Sequence, residues 1–227
     1  MKDIQLVVFD MAGTTVYDNR FVHKVLQDTM SAYGVDITLE EANDVMGIPK
    51  PMAIRQLFAR YEDKRSLDHA IVSEMHHSFV GAMIEFYANS PEVKEQEGAS
   101  GVFKLLRAND IKVVLDTGFD RKTADTIIQR LQWSELIDAS VTSDEVENGR
   151  PHPDMIFKAM QLTGIDHAQN VAKVGDTKSD MEEGKNAGCG YVVGVTNGAY
   201  DRRVLAAGYH THLVENLYGL IPIIGLN

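Results

Sequence analysis

The stretch Val7-Val8-Phe9-Asp10-Met11-Ala12-Gly13-Thr14-Thr15 decides the reading of this chain. Leu6 to Phe9 is an apolar run, too short for a helix and without polar alternation, which is the pattern of a strand buried on both faces of a parallel sheet. It ends on a carboxylate. A buried strand that delivers an aspartate to its own end makes Asp10 a candidate nucleophile, beside the plainer reading of a cap or turn residue.

Further strands follow the same pattern at Lys112 to Leu115, Ala139 to Val141, Val171 to Val174 and Tyr191 to Val195. Helical patterns lie between them near Ala99 to Ala108, Lys122 to Leu131, Pro153 to Thr163 and Ser179 to Ala187. This alternation predicts an α/β fold, a doubly wound Rossmann-like parallel sheet covered on both faces. Residues 16–90 break the alternation. No strand is evident there, and Phe21, Val25, Leu26, Thr29 and Met30 share one helical face. Pro51 suits the first turn of another helix, and a long one is expected over Leu67 to Tyr87. The expected organisation is a core of residues 1–15 and 91–227 with a helical cap, 16–90, inserted after the first strand. Val16 to Asn19 and Asn89 to Pro91 are its candidate hinges.

With 227 residues, 44% hydrophobic and 24% charged, the chain can bury a sizeable core and does not read as disordered. A net charge of −11 argues against nucleic acid or an anionic membrane as partner, since either needs clustered Lys and Arg. Cys189 stands alone, so no intramolecular disulfide is expected. No apolar run is long enough for a signal peptide or a span, which makes the cytoplasm the expected location.

Four predicted strand ends carry polar residues, and ligands of open parallel sheets gather at such ends. Asp10 follows the first strand and Thr117-Gly118 the second. Arg150 lies in Gly149-Arg150-Pro151, and Asp176 and Asp180 follow the fourth strand. Singly, each has a structural explanation as a cap, turn or surface charge. Together they fit magnesium-assisted phosphoryl transfer to a carboxylate. Asp10, Asp176, Asp180 and the Ala12 carbonyl would serve as oxygen ligands for Mg²⁺, while Thr117, Gly118 and Arg150 would bind the phosphoryl oxygens.

These four motifs resemble the haloacid dehalogenase superfamily. Phe9-Asp10-Met11-Ala12-Gly13-Thr14-Thr15, Gly149-Arg150-Pro151 and Val174-Gly175-Asp176-Thr177-Lys178-Ser179-Asp180 are similar specifically to its phosphonatase branch. Most phosphatases of the superfamily carry a second aspartate where this chain has Ala12. In the phosphonatase branch a cap lysine instead forms a Schiff base with a phosphonate aldehyde, and Val45-Met46-Gly47-Ile48-Pro49-Lys50 resembles the segment that bears it. The resemblance implies that Lys50 is this lysine, that Ala12, Gly13, Gly47, Gly118 and Phe119 contact substrate, and that a homodimer forms through the cap. An apolar setting of Met46, Ile48 and Met52 would lower the pKa of Lys50. Three departures stand out: Ala53 where the family has a proton-relaying histidine, Arg20 for a cysteine, and Phe119 for a tyrosine. His23 is a candidate substitute for the histidine. The other readings are a phosphomonoesterase acting on a small phosphorylated metabolite and a low-turnover phosphate-binding relative.

Overall fold

A computed structural model describes residues 3–46, 48–61 and 68–226. The elements run β1 Leu6–Asp10, α1 Phe21–Ala32, α2 Leu39–Asn43, α3 Lys50–Tyr61, α4 His69–Asn89, α5 Ala99–Ala108, β2 Lys112–Thr117, α6 Arg121–Arg130, β3 Ala139–Thr142, α7 Asp154–Thr163, β4 Val171–Gly175, α8 Lys178–Ala187, β5 Tyr191–Val195, α9 Arg202–Ala206, β6 His212–Val214 and α10 Leu220–Ile223. All six strands are parallel, in the order β3-β2-β1-β4-β5-β6.

The apolar runs form strands because both of their faces are covered. Val7 and Phe9 point into one core layer with Val113, Leu115, Ala172 and Val174. Leu6 and Val8 point into the other with Val114, Val141, Val171 and Met181. This is the period of two that a pleated strand imposes. Phe103 packs edge-on against Phe9 on one side and Trp133 on the other, each with centroids 5.3 Å apart, and the indole donates to Ser100 Oγ at 3.0 Å.

Of the helices described between β1 and β2, α1–α4 form the cap of the expected fold, and α5 packs back on the sheet against β2. The buried face of α4, Val72, Met75, Phe79, Met83 and Tyr87, has the spacing of one helical stripe. Against it, α1 buries Val22, Leu26 and Met30. The long helix expected over Leu67 to Tyr87 is α4, with Leu67 itself outside the described residues. The helix expected to open at Pro51 opens one residue earlier, at Lys50. Proline is tolerated there because first-turn amides have no intrahelical acceptor. The two chain passages joining cap and core run side by side, with Tyr17 N donating to Lys94 O at 3.0 Å and Gln96 N to Thr15 O at 2.7 Å.

Four short elements escaped the sequence reading. α2 is held by a capping box between Thr38 and Glu41, β6 is a three-residue edge strand, α9 is capped by Asp201, and α10 is a four-residue turn of helix. Each is too short to show a period.

Candidate active site

Asp10 ends β1 and Thr117 ends β2, while Asp176 directly follows β4. The crossovers diverge between β1 and β4, so Asp10 and Asp176 flank the switch point of the sheet. Asp180 sits one turn into α8. Thr177 caps that helix, accepting from Asp180 N at 3.3 Å while Asp180 Oδ2 accepts from Thr177 N at 3.0 Å. A capping box therefore fixes the Asp180 carboxylate as well as starting the helix. Asp176 is held by Thr14 Oγ1 at 2.9 Å and Ala199 N at 2.6 Å. Gly13, at φ +92°, and Gly198 press their backbones against this carboxylate so closely that a Cβ at either would overlap it.

Arg150 reaches the same centre from the loop after β3. Its guanidinium donates to Asp10 Oδ1 at 2.6 Å, Asp116 Oδ1 at 2.6 Å and Glu183 Oε2 at 3.1 Å, and lies 3.0 Å from Asp180 Oδ1. Lys173, from the middle of β4, donates to Asp116 Oδ2 at 2.6 Å and lies 3.2 Å from Asp180 and 3.0 Å from Glu183. The sequence reading missed Asp116, Lys173 and Glu183. Each left a trace. A lysine between Ala172 and Val174 in a doubly covered strand must have buried partners, Asp116 precedes Thr117 at a strand end, and Glu183 follows Asp180 by one helical turn.

Four buried carboxylates, Asp10, Asp116, Asp180 and Glu183, thus face the buried cations Arg150 and Lys173, and buried Asp176 adds a fifth carboxylate beside Asp10 and Asp180. The imbalance shows in their protonation. Burial raises Asp10 to about 6 against the pull of Arg150. Burial and the charges of Asp10 and Asp180 push Asp176 well above the carboxylate range. Burial and Asp116 raise Glu183 to about 8. Asp116 is held below its ordinary value because Arg150 and Lys173 outweigh the effect of its burial. Asp10, Asp176 and Asp180 each bring an oxygen into one cluster within 4.8 Å. Such crowded hard oxygen donors, carrying uncompensated negative charge, fit a divalent cation.

The cap closes over this centre. A cavity is lined by Asp10, Ala12, Thr117, Gly118, Phe119, Arg150 and Thr177 from the core side and by Asp18, Val22, His23, Met46, Ile48 and Lys50 from the cap side. Lys50 is 5% exposed, its Nζ 5.9 Å from the Phe79 ring, and burial lowers it to about 8 although Asp10 and Asp18 pull the other way. The apolar setting is Met46, Ile48 and Phe79. Met52, expected to share it, is 47% exposed, because residues two apart on a helix project to opposite sides. Ala53 is fully buried, and Gly47 lies outside the described residues. Phe119 stacks edge-on against buried Tyr87, centroids 5.8 Å apart.

Residues 7–194 match the family model of the haloacid dehalogenase-like hydrolases, and the chain belongs to that family. Within it the chain is phosphonatase-like. It is 36% identical over 207 residues to the phosphonoacetaldehyde hydrolase of Bacillus cereus (strain B4264), covering 86% of this chain and 77% of that enzyme. It is 31% identical over 206 residues to the phosphonoacetaldehyde hydrolase of Paraburkholderia xenovorans (strain LB400), covering 86% and 76%. The crystal structure of a phosphonoacetaldehyde hydrolase-like protein from Oleispira antarctica superposes with a TM-score of 0.86 over 98% of this chain and 91% of that one, at 22% identity, and so shares the fold. Among the described residues no helix is long and apolar enough to cross a membrane.

Proposed function

We propose that this chain hydrolyses the carbon–phosphorus bond of a small phosphonate aldehyde of the phosphonoacetaldehyde type, with Asp10 as nucleophile and Lys50 as the imine-forming amine. The observation that carries this reading is the placement of a buried lysine, lowered to about 8, in the same small cavity as Asp10 and Arg150. A primary amine whose charge is disfavoured by burial is suited to attack a carbonyl.

Lys50 condenses with the aldehyde and releases water. Asp10 then attacks phosphorus, the carbon–phosphorus bond breaks, and its electron pair enters the protonated imine to give an enamine. No alkoxide leaves, so no acid is required at Ala12. Protonation and hydrolysis of the enamine return Lys50, and water releases phosphate from Asp10. Thr117, the amides near Gly13 and Gly118, and Arg150 hold the phosphoryl oxygens, and Ala12 and Phe119 shape the substrate's surroundings. Asp10, Asp176, Asp180 and the Ala12 carbonyl would hold Mg²⁺, which when bound offsets the charges of nucleophile and phosphoryl group. Residues 16–90 act as the cap domain on a core of 1–15 and 91–227, and the cap is the surface through which two copies pair.

A phosphate ester is a poorer fit, because its leaving oxygen needs a proton that Ala12 cannot give. Sodium borohydride added with phosphonoacetaldehyde should fix a reduced adduct on Lys50, read by peptide mass spectrometry. Lys50→Ala should remove both the adduct and phosphate release. Mg²⁺-dependent turnover of sugar phosphates that is lost in Asp10→Asn and untouched by Lys50→Ala would replace this reading with the esterase.

A further inference from the structure

His23 stands out among the buried groups that the scheme above leaves unused. It is 3% exposed and lines the same cavity as Lys50 and Asp10. Its Nε2–H donates to Asn43 Oδ1 at 3.0 Å, which leaves the lone pair on Nδ1. That nitrogen is buried with no hydrogen-bond partner among the described residues. A histidine that served only packing would have both nitrogens satisfied. Asp18 Oδ2 lies 4.0 Å from Nδ1, and Asp18 is itself anchored at the start of α1, its Oδ1 accepting from Phe21 N at 2.6 Å. Asn43 is anchored too, its backbone oxygen accepting from Tyr200 of the core at 3.1 Å. The charged groups facing the ring are Asp18, Lys50 and Arg20. The ring is thus oriented from one side, faced by a carboxylate on the other, and shares its cavity with the amine that must lose and regain protons.

We propose, resting on the imine reading above, that His23 carries the protons of imine formation and hydrolysis at Lys50, with Asp18 positioning it. Nδ1 takes a proton from the Lys50 ammonium, freeing the amine to attack the aldehyde carbon. A nitrogen–carbon bond forms, and the carbonyl oxygen takes up one of the two hydrogens left on nitrogen. The imidazolium then returns its proton to that hydroxyl, the carbon–oxygen bond breaks, and water departs as the nitrogen lone pair closes the protonated imine. His23 ends neutral, as it began. In the reverse sense the same nitrogen removes a proton from the water that hydrolyses the imine. The relay therefore sits on α1, while Ala53 on α3 presents only a buried methyl.

The test is the rate at which the Lys50 adduct appears when full-length protein, Mg²⁺ and phosphonoacetaldehyde are quenched with sodium borohydride at timed intervals. His23→Ala, checked for fold by circular dichroism, should slow adduct formation by about 10²-fold or more, and added imidazole should restore part of the rate. His23→Gln keeps a donor for Asn43 but cannot carry a proton, so it should be equally slow and unresponsive to imidazole. Asp18→Asn should fall between these and the wild type. Wild-type adduct rates in His23→Gln, with Lys50→Ala abolishing the adduct, would overturn the relay and leave the imine reading standing. No Lys50 adduct in the wild type would overturn both.

Discussion

Replacing Lys50 by methionine should stabilise the protein at neutral pH while abolishing activity. The reasoning rests on the position of its amine, lowered from an ordinary 10.5 to about 8 by burial among Met46, Ile48 and Phe79. In the unfolded chain the amine holds its proton up to pH ~10.5, so between about 8 and 10.5 the unfolded state binds more protons and stability rises with pH. Below the folded value this gain is absent, and at pH 7 the buried ammonium costs about 3 kcal/mol relative to its neutral form, against under ~1 kcal/mol at pH 10. Methionine keeps the volume and removes the charge. For a chain of this length, where ~1 kcal/mol moves Tm by about 2–4 °C, Lys50→Met should melt roughly 6–12 °C higher at pH 7 and only slightly higher at pH 10. Thermal melts in EDTA at the two pH values measure it. A variant that melts at or below the wild type at pH 7, or whose advantage does not shrink with pH, would refute the burial argument. The same lowering leaves roughly three hundred times more free amine at pH 7 than an ordinary lysine has.

Two more outcomes follow from the acid cluster. Because Asp10 and Asp176 carry raised values with excess negative charge around them, Mg²⁺ at millimolar concentration should raise Tm at pH 7, and calorimetry should show this response and the binding heat lost in Asp176→Asn; an equal response in the variant would place the cation elsewhere. Lys173→Met should lower stability by about 3–5 kcal/mol in urea titration, since it strands the Asp116 and Asp180 carboxylates beside Arg150 alone; a neutral result would refute the ion-pair argument.

Much of this protein is written locally. Strand runs such as Val7 to Phe9, the polar residues that end them and the helix-only segment after β1 state the α/β class, the inserted cap and the candidates Asp10, Thr117, Arg150, Asp176 and Asp180, because each depends on periodicity or on position near a strand end. Lys50 was legible only through the motif around it, and Met52 shows the limit of sequence proximity, since two helix residues apart means opposite faces. The rest depends on what folding brings together. Asp116, Lys173 and Glu183 are ordinary charges in the sequence and become one network only because β2, β1 and β4 lie side by side and α8 packs on β4. The juxtaposition of His23, Asp18 and Lys50 comes from helix packing within the cap, and the meeting of that group with Asp10 from closure over the sheet. Residue type and spacing determined which chemistry was available. Only the tertiary structure decided which groups share a desolvated space, and that shared burial sets their protonation.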